Sequence, residues 1–216
     1  MKILFIGNSY TYYNDLPAIL KALAEENGKA VEVFSVTKGG RKLFQYLDEV
    51  DEYSEKLDAL LSEHEFDVTF LQEQSILPIL DPNAFLDGAR RICEKLAGRT
   101  KRVILYETWG RKEGSQTLTE HNWTREGMTR DLAASYASVA SAIGAEVSHV
   151  GLAFYALNES HPEIDLHHSD LTHPSRVGSC LAAIEHYKTI FGEPPAKIDS
   201  LDLPAETAAV FLEAAN

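Results

Sequence analysis

The sequence predicts an α/β protein, a three-layer α/β/α sandwich around a five-stranded parallel, flavodoxin-like sheet. Short apolar runs alternate with longer segments of helical periodicity, and polar or glycine-rich clusters follow the runs. Parallel strands need such helical crossovers between them. At 216 residues the chain is long enough for one domain with a substantial core. We therefore expect a single domain over 1–216, with a core of 1–191 and a C-terminal tail of 192–216.

The first predicted strand, residues 3–6, is wholly apolar, as is typical of a strand buried on both faces. Four more apolar runs and five segments of helical periodicity complete the alternation, with Asp51 interrupting the second helix and Pro174 in the first turn of the last one. Pro204 predicts the start of a short terminal helix. The strands are predicted at 31–36, 67–71, 102–106 and 145–147, the helices at 16–23, 43–61, 85–96, 124–143 and 174–191, and loops at 111–122 and 159–172.

Composition and charge narrow the class of partner. Hydrophobic residues make up 44% and charged residues 25%, which is ordinary for a soluble globular protein. A formal net charge of -13 argues against nucleic acid or an anionic membrane as the main partner. No apolar run reaches the length of a membrane-spanning helix, and none resembles a signal peptide. We expect a cytoplasmic protein without membrane insertion, with Cys93 and Cys180 as buried reduced thiols. The sequence does not predict the oligomeric state.

Ser9 follows the first predicted strand, inside the polar segment Gly7-Asn8-Ser9-Tyr10-Thr11. Open parallel sheets bind ligands at the carboxyl ends of their strands, so the position suits a functional side chain. A serine becomes an effective nucleophile only when a base accepts its proton and a third group orients that base. The rest of the chain must supply both groups.

Asp170 and His173 are candidates for these two groups. An Asp three residues before a His, on a turn that enters a helix, can place its carboxylate against the imidazole Nδ1 and leave Nε2 free for a serine. The alternative is that Asp170 or Thr172 caps the last helix and that His173 is only solvated.

Donors for an oxyanion are expected at the ends of the second and third strands. Gly39 or Gly40 can present a backbone N–H, and Gln72 or Gln74 can present a side-chain amide, beside the N–H of Ser9 itself. Trp109, after the fourth strand, either walls the site and contacts a sugar or acyl group, or packs in the core.

Three segments of the chain resemble the conserved blocks of the SGNH (GDSL-like) hydrolase superfamily, in the right order over residues 1 to about 191. They are Gly7-Asn8-Ser9-Tyr10-Thr11 for block I, Lys38-Gly39-Gly40 for block II, and Asp170-Leu171-Thr172-His173-Pro174 for block V. The resemblance implies a flavodoxin-like SGNH fold and a catalytic triad of Ser9, Asp170 and His173. It also implies a substrate-binding position for Asn8, which stands where Asp is commoner.

Block III departs from the family pattern Gly-x-Asn-Asp. An alignment without a gap from Asp67 puts Gln74 at the oxyanion asparagine and Ser75 at the following Asp, with Gln72 as the competing assignment. The segment Leu-Gln-Glu-Gln-Ser is similar to a bacterial branch of the superfamily with largely unassigned substrates. The resemblance implies a short-chain or carbohydrate O-acetyl esterase that acts on a small-molecule or carbohydrate ester without a cofactor. A lysophospholipase or thioesterase is the alternative.

The sequence leaves three other functional classes as alternatives. One is a metal hydrolase, although no HExxH pattern is present and two of the candidate ligands are adjacent. A second is a nucleotide-binding domain, but the first strand–helix turn lacks both GxGxxG and the P-loop pattern. A third is a non-catalytic relative on the same fold. The candidate metal ligands are His161, His167, His168, His173, Asp165 and Asp170.

Overall fold

The computed structural model describes residues 1–48 and 50–215 and contains the predicted five-stranded, wholly parallel sheet. The strand order is β2-β1-β3-β4-β5, so β1 lies next to β3 and has its carboxyl end near the middle of the sheet. The predicted fold class is confirmed. The strands are β1 Lys2–Gly7, β2 Glu32–Thr37, β3 Phe66–Leu71, β4 Thr100–Tyr106 and β5 Glu146–Ser148.

Helices connect the strands, with 3₁₀ turns at Tyr13–Asp15, Leu43–Leu47 and Asp199–Leu201. The predicted second helix is divided as expected, since Asp51 caps the helix that follows the second 3₁₀ turn. Residue 49, within this predicted helix, lies outside the described residues, as does Asn216 at the end of the predicted tail. The helices are α1 Ser9–Tyr12, α2 Leu16–Glu26, α3 Glu52–Glu63, α4 Leu77–Leu80, α5 Pro82–Leu96, α6 Gln116–His121, α7 Arg125–Ile143, α8 Val150–Ser160, α9 Arg176–Phe191 and α10 Ala205–Ala215.

The sheet is the middle of three layers. On one face, Ile3 and Phe5 of β1 pack with residues of α2, α8, α9 and α10. On the other face, Leu4 and Ile6 pack with residues of α3, α5 and α7. All four side chains are fully buried, as the uninterrupted apolar run predicts. The two helical layers cover the faces of the sheet. The loops that carry the polar residues lie at the carboxyl ends of the strands.

The segment 111–122 is only in part the surface loop that its lack of periodicity predicts, because most of its residues are exposed but half of them form a helix. Arg111 and Ser115 are buried, and Ser115 accepts a hydrogen bond from Leu118 N as the N-cap of α6. A helix of only six residues is too short to establish a periodic pattern, so the sequence does not show it. This segment begins with Arg111, which lies at the cavity beside Ser9.

The last long helix begins later than predicted. Ser175 is the N-cap, with its hydroxyl accepting from Gly178 N, so Pro174 precedes the helix instead of lying in its first turn. Neither Asp170 nor Thr172 caps it. Helix α8 has no counterpart among the predicted helices.

Two smaller predictions have definite outcomes. The cysteines are free, but Cys93 is only half-buried, whereas Cys180 is buried. Pro204 directly precedes the predicted terminal helix, α10. Across the described residues, no helix is both long and apolar enough to cross a membrane.

Candidate active site

The turn from β1 into α1 places Ser9 at the first position of a short helix. Gly7 is required there because a Cβ would lie 2.5 Å from Thr11 Oγ1 and 2.7 Å from Gln72 Oε1. Asn8 caps the helix by accepting a hydrogen bond from Tyr10 N at 3.2 Å. The backbone N–H of Ser9 thus lies in the first helical turn, where N–H groups have no partner within the helix.

The loop before α9 is folded tightly around Asp170. One carboxylate oxygen, Oδ1, accepts hydrogen bonds from Thr172 N at 3.0 Å and His173 N at 2.9 Å. His168 N donates to His173 O at 2.7 Å, which closes the loop. Leu171 adopts a φ of 63°, a left-handed conformation that costs about 1–2 kcal/mol for a residue with a Cβ. The loop therefore holds its histidine by specific backbone contacts.

Ser9, His173 and Asp170 form one hydrogen-bonded chain. Asp170 Oδ2 lies 2.6 Å from His173 Nδ1, and His173 Nε2 lies 2.8 Å from Ser9 Oγ. Tyr13 stacks on the His173 ring with 4.2 Å between centroids. Partial burial works against the ionised form of Asp170, but hydrogen bonds from the His173 ring and from two backbone N–H groups outweigh it and lower its pKa to about 2. An ionised carboxylate fixes Nδ1 as the protonated nitrogen and leaves Nε2 free to accept from Ser9.

Asn14 joins the segment that follows Ser9 to the loop before α9 that carries Asp170 and His173, here called the histidine loop. Its side-chain amide donates to Pro174 O at 3.1 Å, Ser175 O at 3.1 Å and Ser179 Oγ at 2.9 Å. Its φ of 55° is one that asparagine tolerates better than most residues. Asn14 is not among the predicted site residues, because nothing in the local sequence pattern shows a partner about 160 residues away.

Of the two glycines predicted as oxyanion donors, Gly40 lines the cavity at Ser9. Its φ of 69° lies in the left-handed region that favours glycine. Gly39 does not line this cavity, and a Cβ on it would meet the Tyr12 hydroxyl at 3.0 Å. The close approach of Tyr12 explains why position 39 is a glycine. It does not make Gly39 a residue of the site.

The two glutamines have different surroundings. The Oε1 atom of Gln72 accepts from Asn8 N at 2.8 Å and Thr11 Oγ1 at 3.0 Å, and its Nε2 donates to Glu73 O. Its amide is therefore committed to the β1–α1 turn. Gln74 lines the cavity, and its Oε1 accepts from Ile76 N at 3.1 Å. This orientation leaves the Gln74 Nε2 donor available.

Asn8 and Trp109 were predicted to bind substrate. Asn8 lines the cavity, but its side chain already caps α1 and donates to Arg41 O at 3.0 Å. Trp109 is 1% exposed, stacks on Phe154 at 4.1 Å and donates from Nε1 to Thr172 O at 3.1 Å. Trp109 is a core residue that supports the histidine loop and does not face the cavity.

Arg111 also lines the cavity, together with Ser75, although it is not among the predicted site residues. It is 6% exposed, and its Nη2 donates to Ser75 Oγ at 2.8 Å. Its guanidinium lies 5.6 Å from the centre of the Tyr10 ring. Burial raises the pKa of Tyr10 to about 12 against the opposing effect of the Arg111 charge. A lone arginine after a polar turn has no sequence signature, so no pattern could have identified it.

The cavity at Ser9 is small, with a volume of about 220 Å³. Side chains and backbone from four strand ends and from the histidine loop surround it. The lining residues are Asn8, Ser9, Tyr10, Gly40, Gln74, Ser75, Arg111, Thr172 and His173.

The histidines and aspartates considered as metal ligands are engaged elsewhere. Asp165 pairs with Lys112, His161 with Glu163, and His167 with Gly110 O. Burial lowers the pKa of His167 to about 4. Within residues 1–48 and 50–215, no group of three or more His, Cys, Asp or Glu side chains is placed to hold a metal ion.

Comparison with solved structures gives relatives over most of the chain. A candidate SGNH hydrolase from Slackia heliotrinireducens is 29% identical, with a TM-score of 0.77 over 88% of this chain and 98% of its own. A DUF4886 family protein from Bacteroides uniformis is 14% identical, with a TM-score of 0.84 over 100% and 93%. Axe2, an acetylxylan esterase from Geobacillus stearothermophilus, is 15% identical, with a TM-score of 0.61 over 88% and 94%. No protein-family model and no curated protein sequence matches the chain.

Proposed function

The chain belongs to the SGNH hydrolase superfamily, and on that premise we propose that it is a serine esterase that hydrolyses carboxylic esters through an acyl-enzyme. The observation that carries the proposal is the hydrogen-bonded chain from Asp170 through His173 to Ser9, with distances of 2.6 Å and 2.8 Å. A serine, an imidazole and a carboxylate in this order supply the nucleophile, the base and the group that orients the base.

In the proposed mechanism, Ser9 Oγ attacks the ester carbonyl carbon while His173 Nε2 takes the hydroxyl proton. Asp170 stabilises the imidazolium that forms. The tetrahedral intermediate then expels the alcohol, which takes the proton from His173. Water attacks the acyl-enzyme while His173 takes its proton, and the second tetrahedral intermediate expels Ser9 Oγ, which takes that proton back from His173 as the acid is released.

The oxyanion of the intermediate is proposed to bind three donors: the Ser9 N–H, the Gly40 N–H and the Gln74 Nε2 amide. All three residues line one cavity, and none of these donors is used by a neighbouring acceptor among the described residues. Losing one such donor typically raises the barrier by ~2.7–4 kcal/mol.

The substrate is proposed to be a small ester with a short acyl group, such as an acetylated carbohydrate. A cavity of about 220 Å³ favours a compact group beside Ser9 over a long acyl chain. The acetyl xylan esterases among the structural neighbours support the same reading at the level of fold.

A kinetic comparison tests the proposal. Purified protein is assayed with p-nitrophenyl acetate, butyrate and octanoate and with acetylated xylo-oligosaccharides. We expect rates to fall with acyl length and Ser9→Ala to lose hydrolysis of every substrate. Ser148 also pairs with an imidazole, that of His186, but both residues are fully buried and cannot meet a substrate.

The matched control is Ser62→Ala, which removes an exposed hydroxyl on α3 and should behave as wild type. Undiminished hydrolysis by Ser9→Ala contradicts the proposed nucleophile. Rates that rise with chain length contradict the short-acyl assignment alone and favour the lipase or thioesterase alternative.

A further inference from the structure

Arg111 is a buried cation that has no counter-ion among residues 1–48 and 50–215. Its Nε and Nη1 atoms are buried and have no hydrogen-bond partner among the described residues. Only Nη2 is used, by the neutral hydroxyl of Ser75. Burying an unpaired charge costs several kcal/mol, so such groups are normally paired or functional.

The absence of a counter-ion is not explained by a shortage of carboxylates. The chain has 33 acidic against 20 basic residues. Other partly or largely buried arginines have acidic partners: Arg41 pairs with Asp51, and Arg125 pairs with Glu159. Asp170, which is near the site, already uses both of its oxygens for His173 and the turn.

The position of Arg111 directs its charge to the reaction site. It lines the same small cavity as Ser9, Gln74 and His173. The guanidinium lies 5.6 Å from the centre of the Tyr10 ring, and its hydrogen bond to Ser75 fixes one of its ends. Because Arg111 and Ser9 line one small cavity, a ligand bound at Ser9 lies beside the Arg111 side chain, whose guanidinium is held by these contacts.

We propose that Arg111 forms an anion subsite in this cavity and that the enzyme prefers esters with a carboxylate a few atoms from the scissile carbonyl. The proposal rests on the esterase function proposed above and narrows its substrate class. A guanidinium binds a carboxylate through charge-assisted hydrogen bonds that a neutral substituent cannot form. The carboxylate belongs to the acyl group or to the alcohol, and both sources present the same chemistry to Arg111.

Two matched pairs of esters separate these sources. In the acyl pair, monomethyl succinate is compared with methyl levulinate, in which a methyl ketone replaces the carboxylate. In the alcohol pair, acetoxyacetate is compared with acetoxyacetone in the same way. The measured quantity is the ratio of kcat/KM for the anionic ester to that for the neutral ester.

In at least one pair, the ratio in Arg111→Met should be lower than the ratio in the wild type by about tenfold or more, because the charge-assisted contact is lost. Arg111→Lys should give an intermediate ratio. The control, Arg130→Met, makes the same charge change on α7, where the side chain is 73% exposed, and should keep the wild-type ratio. Added salt should lower the ratio in the wild type and have less effect in Arg111→Met.

Three results overturn the proposal: no anionic preference in the wild type, an unchanged ratio in Arg111→Met, or an equal loss for both members of each pair. Equal loss would mean that Arg111 supports the fold or the oxyanion and does not select substrates. If the Arg111 variants fail to fold, the ratio in the wild type and its salt dependence still test the proposed anion subsite.

A binding measurement is independent of turnover. Calorimetry should detect succinate binding to Ser9→Ala and about tenfold weaker or no binding to the Ser9→Ala, Arg111→Met double variant. Hydrolysis of none of the four esters, with succinate bound through Arg111, would reject the esterase and keep the anion subsite. Ser9-dependent hydrolysis without anionic preference or succinate binding would reject the subsite and keep the esterase.

Discussion

At the scale of single residues, the site depends on which side chain a strand end directs at the cavity. Gln72 and Gln74 are two residues apart, and the sequence left both as oxyanion donors. In the structure, Gln72 is 1% exposed and fixes the β1–α1 turn, whereas Gln74 lines the cavity. Gln74 is the proposed oxyanion donor, and Gln72 positions the nucleophile.

The two glutamines should respond differently to substitution. Gln74→Ala should reduce kcat for an acetyl ester by about 10²–10³-fold, because it removes a transition-state donor. It should lower Tm less than Gln72→Ala does, because the N–H groups that lose its Oε1 acceptor, those of Ile76 and Leu77, form only partly buried hydrogen bonds. Gln72→Ala should lower the free energy of unfolding by about 1–3 kcal/mol, because it leaves the buried Asn8 N–H without an acceptor. Steady-state kinetics and thermal unfolding of both variants measure the contrast. Reversed effects would move the oxyanion role to Gln72.

At the scale of elements, the site lies between the carboxyl ends of β1 to β4 and the loop before α9. The strand order brings the ends of β2, β1 and β3 side by side, so Gly40, Ser9 and Gln74 are neighbours although they are distant in sequence. The histidine loop is added from outside the sheet. It is tied to the β1–α2 connection through Asn14 and to the segment after β4 through the hydrogen bond from Lys112 N to Leu171 O at 3.1 Å.

The Asn14 contact gives a prediction about these elements. Asn14→Asp keeps the shape of the side chain but replaces an amide donor by a carboxylate facing the carbonyl oxygens of Pro174 and Ser175. We expect a loss of about 1 kcal/mol in unfolding free energy. We also expect a fall in kcat, because Pro174 directly follows His173.

Asn122→Asp is the matched control. Asn122 also has a left-handed φ, of 53°, and is exposed, but its substitution breaks no contact with the histidine loop. Denaturant unfolding and acetyl-ester kinetics are measured for both variants. Identical behaviour of the two would show that Asn14 does not hold the loop.

At the scale of the whole molecule, part of the account could be predicted from the sequence. The apolar run 3–6 and the alternation of strands and helices specify the sheet, because burial on both faces demands that composition. The Asp-x-x-His spacing predicts the contact between Asp170 and His173, because it forms within one turn. Arg111 and Asn14 could not be predicted, because their roles depend on partners that only tertiary structure brings near.

Glu73 links the stability of the molecule to pH. It is fully buried beside the oxyanion donor, and its carboxylate accepts from Gln74 N at 2.6 Å and Leu43 N at 3.2 Å. Burial raises the pKa of Glu73 from 4.5 to about 7, more than the backbone hydrogen bonds and the Lys42 charge lower it. Between these two values the folded protein binds more protons than the unfolded chain, so the Glu73 contribution to stability falls as pH rises.

Glu73→Gln should remove this dependence. Relative to wild type, the variant should gain stability between pH 5 and pH 8, by about 1.4 kcal/mol for each unit of pKa difference. The difference between the two proteins in the same buffers cancels other titrating groups, including the buried His186, whose pKa burial lowers to about 3. Denaturant unfolding at both pH values gives the difference, and a difference that does not vary with pH would contradict a titrating Glu73.

The central claim is that Ser9 is the nucleophile of an esterase, and covalent labelling tests it most directly. The protein is treated with a fluorophosphonate probe, and the modified peptide is identified by mass spectrometry. The account predicts one adduct, on Ser9, which is absent in Ser9→Ala and forms much more slowly in His173→Ala because the base is missing. No adduct on the folded wild-type protein, or labelling of Ser9→Ala at the wild-type rate, would contradict it.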